Sequence, residues 1–115
     1  IDFSYKAIGK QTFVIDLNPK CYVDLIAPAR TFGFKDQFQE LGELGLIKGG
    51  SLENALVCDG DNWVNPPLRF ANEPIRHKIL DLIGDLALVG LPKAQIIVYK
   101  GSHSLNALLA SSLTN

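Results

Sequence analysis

The stretch NEPIRHKILDLIGDLALVG, residues 72–90, is the one on which the fold turns. Asn72 suits a helix N-cap, Glu73 and Pro74 suit a first turn, and Gly90 with Pro92 closes the far end. Residues 72–89 are therefore predicted to form one helix. Wound at about 100° per residue, Ile75, Ile79, Leu82 and Leu86 fall in a narrow apolar sector. His77, Asp81 and Asp85 fall roughly opposite, stacked at i, i+4 and i+8. A helix with one apolar stripe must bury it against another layer, and the flanking sequence supplies candidates.

Downstream, residues 94–100 are β-branched and apolar and predict a strand in a sheet interior. Residues 103–113 predict a helix with Leu105, Leu108, Leu109 and Ser112 along one side. Upstream, residues 55–58 predict a short buried strand, 59–62 a turn, and Trp63 with Val64 its return strand. Residues 35–44 place Phe38, Leu41 and Leu44 on one helical face, and 49–51 read as a turn. Asn18-Pro19 signals the start of a helix over residues 20–27 that Pro28 ends. Residues 3–8 and 11–17 alternate around Gly9 and Lys10 and predict a hairpin. No repeat or low-complexity run divides the chain, so residues 1–115 are taken as a single α+β domain with helices packed on one face of a mixed sheet.

The 115 residues are 47% hydrophobic and 20% charged, which is globular composition. Eleven Lys and Arg against twelve Asp and Glu leave a net charge of −1, so no general pull toward nucleic acid or anionic membrane is expected. No apolar run approaches the ~20 residues of a membrane span. Cys21 and Cys58 make neither a disulfide framework nor a CxxC pair, and a reduced intracellular setting is the default expectation. The chain contains no Met, and no leader-like opening takes its place, so a segment of a longer polypeptide is expected.

Side chains at i and i+4 share a helix face, so His77 and Asp81 can both reach one metal ion. Neutral imidazole with carboxylate suits zinc or another borderline divalent ion, and Asp85 stands one turn on to orient a further group. His103 follows the strand-to-helix turn Lys100-Gly101-Ser102. Spacing alone equally fits a solvated surface pair worth about 0.3 kcal/mol. Catalytic zinc takes three protein ligands, and His103 is the one other histidine of the chain. An iron centre of His77, His103 and Asp81 is a further alternative that spacing leaves open.

Residues 68–90, LRFANEPIRHKILDLIGDLALVG, resemble the zinc-ligand helix of the UDP-(3-O-acyl)-N-acetylglucosamine deacetylase family of lipid A synthesis. ARTFGF (29–34), GLIKGGSLENALV (45–57), YKGSHSLN (99–106) and the opening IDFSYKAIG agree in order, so the resemblance covers the whole chain. It implies the second, C-terminal half of a two-domain enzyme, each half a two-layer β-α-α-β sandwich, here with a small inserted β unit. It also implies Zn2+ held by His77 and Asp81, with a third histidine ligand and a glutamate general base from a first domain that has no counterpart in these residues. Thr31 would donate to the oxyanion, His103 would be the cationic partner of the oxyanion or leaving amine, and Asp85 would orient His103. Lys78 would serve catalysis and contact the sugar and phosphates, Lys100 would lie near the diphosphate, and Phe3 against the uracil. Phe32, Phe38, Ser51, Leu52, Ala55 and Val57 would match an apolar passage for the acyl chain; core packing is the other reading for Ala55 and Val57. Ser102 departs from a glycine that the family carries just before this histidine.

The function implied is removal of the N-acetyl group from a UDP-sugar acyl substrate. A chain lacking the first domain is expected to bind zinc weakly and to be inactive alone. The location implied is bacterial cytoplasm, or an organelle in a plant or alga. The competing class is a non-catalytic truncated module that binds nucleotide-sugar, acyl chain or a protein partner.

Overall fold

Ile26, Leu56 and Leu86, each at most 1% exposed, mark where the layers of the chain meet in the computed structural model, which describes residues 1–38 and 53–114. The predicted turn at 49–51 and the rest of the 35–44 helix lie outside the described residues; residues 35–38 are helical. The sheet is three-stranded and mixed, in the order β1 (Thr31–Phe34), β2 (Ala55–Asp59), β3 (Asn62–Trp63). β1 runs parallel to β2, with Thr31 opposite Ala55 and Gly33 opposite Val57. β3 returns antiparallel, Cys58 opposite Trp63, around Gly60 at φ +63°. Asn65 then continues the ladder with its side chain: its amide accepts from Val57 N at 2.9 Å and donates to Ala55 O at 2.7 Å.

The helix start at Asn18-Pro19 forms as predicted: α1 (Pro19–Cys21) is capped by Asn18, whose Oδ1 accepts from Cys21 N at 2.9 Å. The winding then loosens into a π-helical turn, Tyr22–Ile26, which buries Ile26 before Pro28. α2 (Glu73–Ala87) and α3 (His103–Leu113) fall where the periodicity puts them, and they pack on each other. α2 also packs on the π-helical turn and on β1. At the start of α2, Asn72 holds the cap position but spends its Oδ1 on Arg76 Nε at 2.7 Å, while Gln11 Oε1 accepts from Ile75 N at 3.1 Å. The same Arg76 guanidinium packs over the rings of Phe13 and Phe70.

Two predicted strand regions differ. Residues 3–8 and 11–17 are not a strand hairpin; one antiparallel bridge, Asp2 to Lys10, closes the reversal. Tyr5 O accepts from both Ile8 N and Gly9 N, so the turn tightens early. The Phe3 and Tyr5 rings then pack on Phe32 and Phe34 instead of alternating along a ladder. Residues 94–100 are not an interior strand either: Ile97 is 87% and Tyr99 76% exposed, and no strand among the described residues pairs with them. β-branched residues favour a strand through packing against neighbouring strands, and the described residues supply none here.

Candidate functional site

The His77–Asp81–Asp85 stripe predicted from sequence stands on α2 as one connected face. His77 Nε2 lies 3.1 Å from Asp81 Oδ1, and His77 Nδ1 lies 2.9 Å from Ala29 O, just before β1. A carbonyl only accepts, so Nδ1 carries a proton and Nε2 is the nitrogen turned toward Asp81. α3 brings His103 to the same face at its first turn. His103 Nδ1 is 2.7 Å from Asp85 Oδ2, and its Nε2 is 3.8 Å from Asp81 Oδ2. Asn106, buried one turn further along α3, donates to the same Asp85 oxygen at 3.0 Å. The Asp85 carboxylate thus sits at the N-terminus of α3, where the helix dipole favours negative charge.

Local sequence explains how α3 presents His103. Ser102 caps the helix, its Oγ accepting from Leu105 N at 3.2 Å. Its φ of −149° is extended backbone open to any residue, so the Cβ that separates it from glycine is accommodated without strain. The residue before the pair, Lys100, takes φ +51°, and Gly101 leaves space that a Cβ would lose to Val98 Cγ1 at 2.7 Å. Lys78, Asp81, Lys100, His103 and Asn106 line one small cleft, with Ile75, Ile79, Leu82 and Val98 as its apolar wall.

Charge is tuned along the stripe. Burial opposes protonation of His77, but its hydrogen bonds to Asp81 and to the Ala29 carbonyl, with the Asp81 charge, outweigh that and raise its pKa above the ordinary imidazole value. The Asn106 amide first, and then His103, hold Asp85 below the usual carboxylate range. The donors suit a divalent metal in kind and in spacing. Two ligands about 2.1 Å from a tetrahedral zinc stand roughly 3.4 Å apart, a few tenths more than the 3.1 Å between His77 Nε2 and Asp81 Oδ1. Among the described residues, no group of three or more His, Cys, Asp or Glu side chains is gathered for a metal, so His77 and Asp81 are a two-donor set.

The other predicted residues divide. Thr31 is exposed at the start of β1, one residue past Arg30. The Lys78 ammonium lies over the Phe32 ring at 5.7 Å, and Phe3 meets that ring edge-on at 5.7 Å. The Phe38 ring instead covers Gly33, whose Cβ position it would meet at 2.7 Å. Alternation along β1 puts Gly33 on the face opposite Phe32, and the parallel register puts Ala55 and Val57 with Gly33. Phe32 and Phe38 therefore lie on opposite faces, while Ala55 and Val57 are buried in β2. Ser51 and Leu52 lie outside the described residues.

Sequence reading missed three contributors. Asn106 stands at i+3 from His103 and Glu73 at i−4 from His77, spacings that could have flagged both. The Ala29 carbonyl had no such signal, because a backbone acceptor carries no side-chain identity.

An imidazole and a carboxylate one helical turn apart, with a second imidazole held by its own carboxylate beside them, define a class of site: two paired His–carboxylate couples gathered at the junction of two helices. The comparisons give the particular family. The model of the UDP-3-O-acyl N-acetylglycosamine deacetylase family matches residues 1–115, and the chain belongs to that family. It is 53% identical, over its whole length, to UDP-3-O-acyl-N-acetylglucosamine deacetylase of Synechocystis, and 55% identical over 98% of its length to that of Nostoc. A probable UDP-3-O-acyl-N-acetylglucosamine deacetylase 1, mitochondrial, of Arabidopsis thaliana is 48% identical over 97% of the chain. The chain spans 42% of the length of each of the two cyanobacterial relatives and 34% of the plant one. No helix among the described residues is long and apolar enough to cross a membrane.

Proposed function

We propose that this chain is the C-terminal half of a zinc-dependent deacetylase that removes the N-acetyl group from UDP-3-O-acyl-N-acetylglucosamine. The observation that carries the reading is the pairing of His77 with Asp81 and of His103 with Asp85 at the junction of α2 and α3, the two pairs 3.8 Å apart at His103 Nε2 and Asp81 Oδ2. His77 Nε2 and Asp81 would hold Zn2+, which when bound supplies the Lewis acidity that amide hydrolysis needs. Their two donors leave a third ligand and a general base to a first domain, in line with the share of its relatives that the chain spans.

The chain's own residues do the rest. Asp85 fixes His103 through Nδ1, so that Nε2 faces the cleft as a proton donor to the leaving amine or a cationic partner for the oxyanion. Thr31 is the second oxyanion donor. Lys78 and Lys100 place positive charge on the cleft where the sugar and diphosphate bind. Phe3 with Phe32 offers an aromatic face for the uracil, and the acyl passage is assigned to Phe38, Ala55 and Val57 on the other face of the sheet, with Ser51 and Leu52. The location proposed is bacterial cytoplasm or a plant organelle, and the mitochondrial name of the plant relative supports the latter.

Acetate release from UDP-3-O-acyl-N-acetylglucosamine tests this. The 115-residue chain alone should release none above background. Addition of a separately expressed first domain and zinc should restore turnover, and His77→Ala should abolish it. Turnover by the chain alone, or restored turnover indifferent to His77→Ala, would contradict the half-site.

A further inference from the structure

Glu73 and His77 stand one turn apart on α2 and grip opposite ends of the same peptide unit. The Arg30 amide donates to Glu73 Oε2 at 2.9 Å, and the carbonyl of that unit, Ala29 O, is 2.9 Å from His77 Nδ1. The unit is planar and trans, so its N–H and C=O point in opposite directions and fixing one end aims the other. Glu73 is in turn immobilised. It is 0% exposed, its Oε2 also accepts from Arg30 Nε at 2.8 Å, and its Oε1 accepts from Arg30 Nη2 at 3.1 Å and Arg69 N at 2.7 Å. A charged acceptor at the N–H end polarises the peptide and strengthens its carbonyl as an acceptor. A ring whose Nδ1–H is held more strongly offers a more basic and better oriented Nε2 to a metal.

We infer that Glu73 is a positioning residue for His77, acting through the Ala29–Arg30 peptide to set the orientation of the imidazole and the donor strength of its Nε2. Glu73 touches neither metal nor substrate. The metal consequence rests on the reading of His77 as a ligand; the relay itself does not.

Two measurements on the protein test it: the Nδ1–H proton resonance of His77 in the metal-free state, and the affinity for Zn2+ alone. Glu73→Gln should shift that resonance upfield, speed its exchange with water, and weaken zinc binding about ten- to hundredfold. Because that variant strands the Arg30 cation, the neutral double variant Arg30→Gln/Glu73→Gln is measured beside it, with the same loss expected. Arg69→Ala removes a side chain bonded to Pro28 O but leaves the Arg69 amide on Glu73, and should leave both readouts unchanged. A wild-type resonance together with wild-type zinc affinity in either Glu73 variant would overturn the inference. Losses of equal size in Arg69→Ala would overturn it too, since general loosening would then explain them. If the unaltered protein takes up no zinc, the metal reading fails, and the metal-free resonance still decides the role of Glu73.

Discussion

Hydrogen bonds at both ring nitrogens of His77 favour its protonated form whenever no metal is present. The sign follows from the raised pKa: stability gained from the imidazolium is complete below the ordinary imidazole value and is lost as pH rises through the folded value. A metal must displace that proton, so zinc uptake should strengthen as pH climbs through the same range. Isothermal titration across pH 6 to about 8.5 checks this, and His77→Gln should abolish both uptake and its pH dependence. At the other imidazole, His103→Gln in the two-domain assembly should lower kcat by about 10²–10⁴ with KM little changed, read by steady-state kinetics.

Elements position these side chains through a few local devices. Ser102→Ala should cost about 1 kcal/mol by removing the cap of α3, and Ser102→Gly only a few tenths, both read as a shift in urea midpoint. β1 is tied to α2 by the Arg30–Glu73 pair, with side chains 11% and 0% exposed. Burial pushes the Glu73 carboxyl up, but the Arg30 guanidinium and the Arg30 and Arg69 amides outweigh it and hold its pKa below the usual carboxylate range. A depressed carboxylate contributes stability above its unfolded pKa and loses that contribution as pH falls through its folded value. Urea midpoints should therefore fall steeply below about pH 4, with a flatter profile in Arg30→Gln/Glu73→Gln. α2, α3 and β2 were legible in the sequence because caps, turn residues and apolar period all agree there. The strand over 94–100 was not, since propensity is local and a strand needs a neighbour to hydrogen-bond. Within the site, His77, Asp81, Asp85 and His103 were visible by spacing. Asn106 and Glu73 instead look like an ordinary helix residue and an ordinary first-turn acid.

Across the whole molecule, apolar surface is left in water where the layers end. Leu88, Ile97 and Leu108 are 87%, 87% and 67% exposed. Apolar side chains exposed to this degree form a contact face when a partner covers them. Under the half-site account a first domain covers it, so binding of a hydrophobic dye to the 115-residue chain should be strong and should drop when that domain is added. Undiminished dye binding in an active mixture would place the contact elsewhere.

The central claim is that one turn of α2 grips a divalent ion between an imidazole and a carboxylate. Anomalous diffraction at the zinc edge from crystals grown with zinc addresses it most directly. The account predicts a peak at about 2.0–2.1 Å from His77 Nε2 and about 2.0–2.2 Å from an Asp81 oxygen, with His77 Nδ1 still on Ala29 O. A peak at other residues, with His77 and Asp81 still bonded to each other at 3.1 Å, would contradict it.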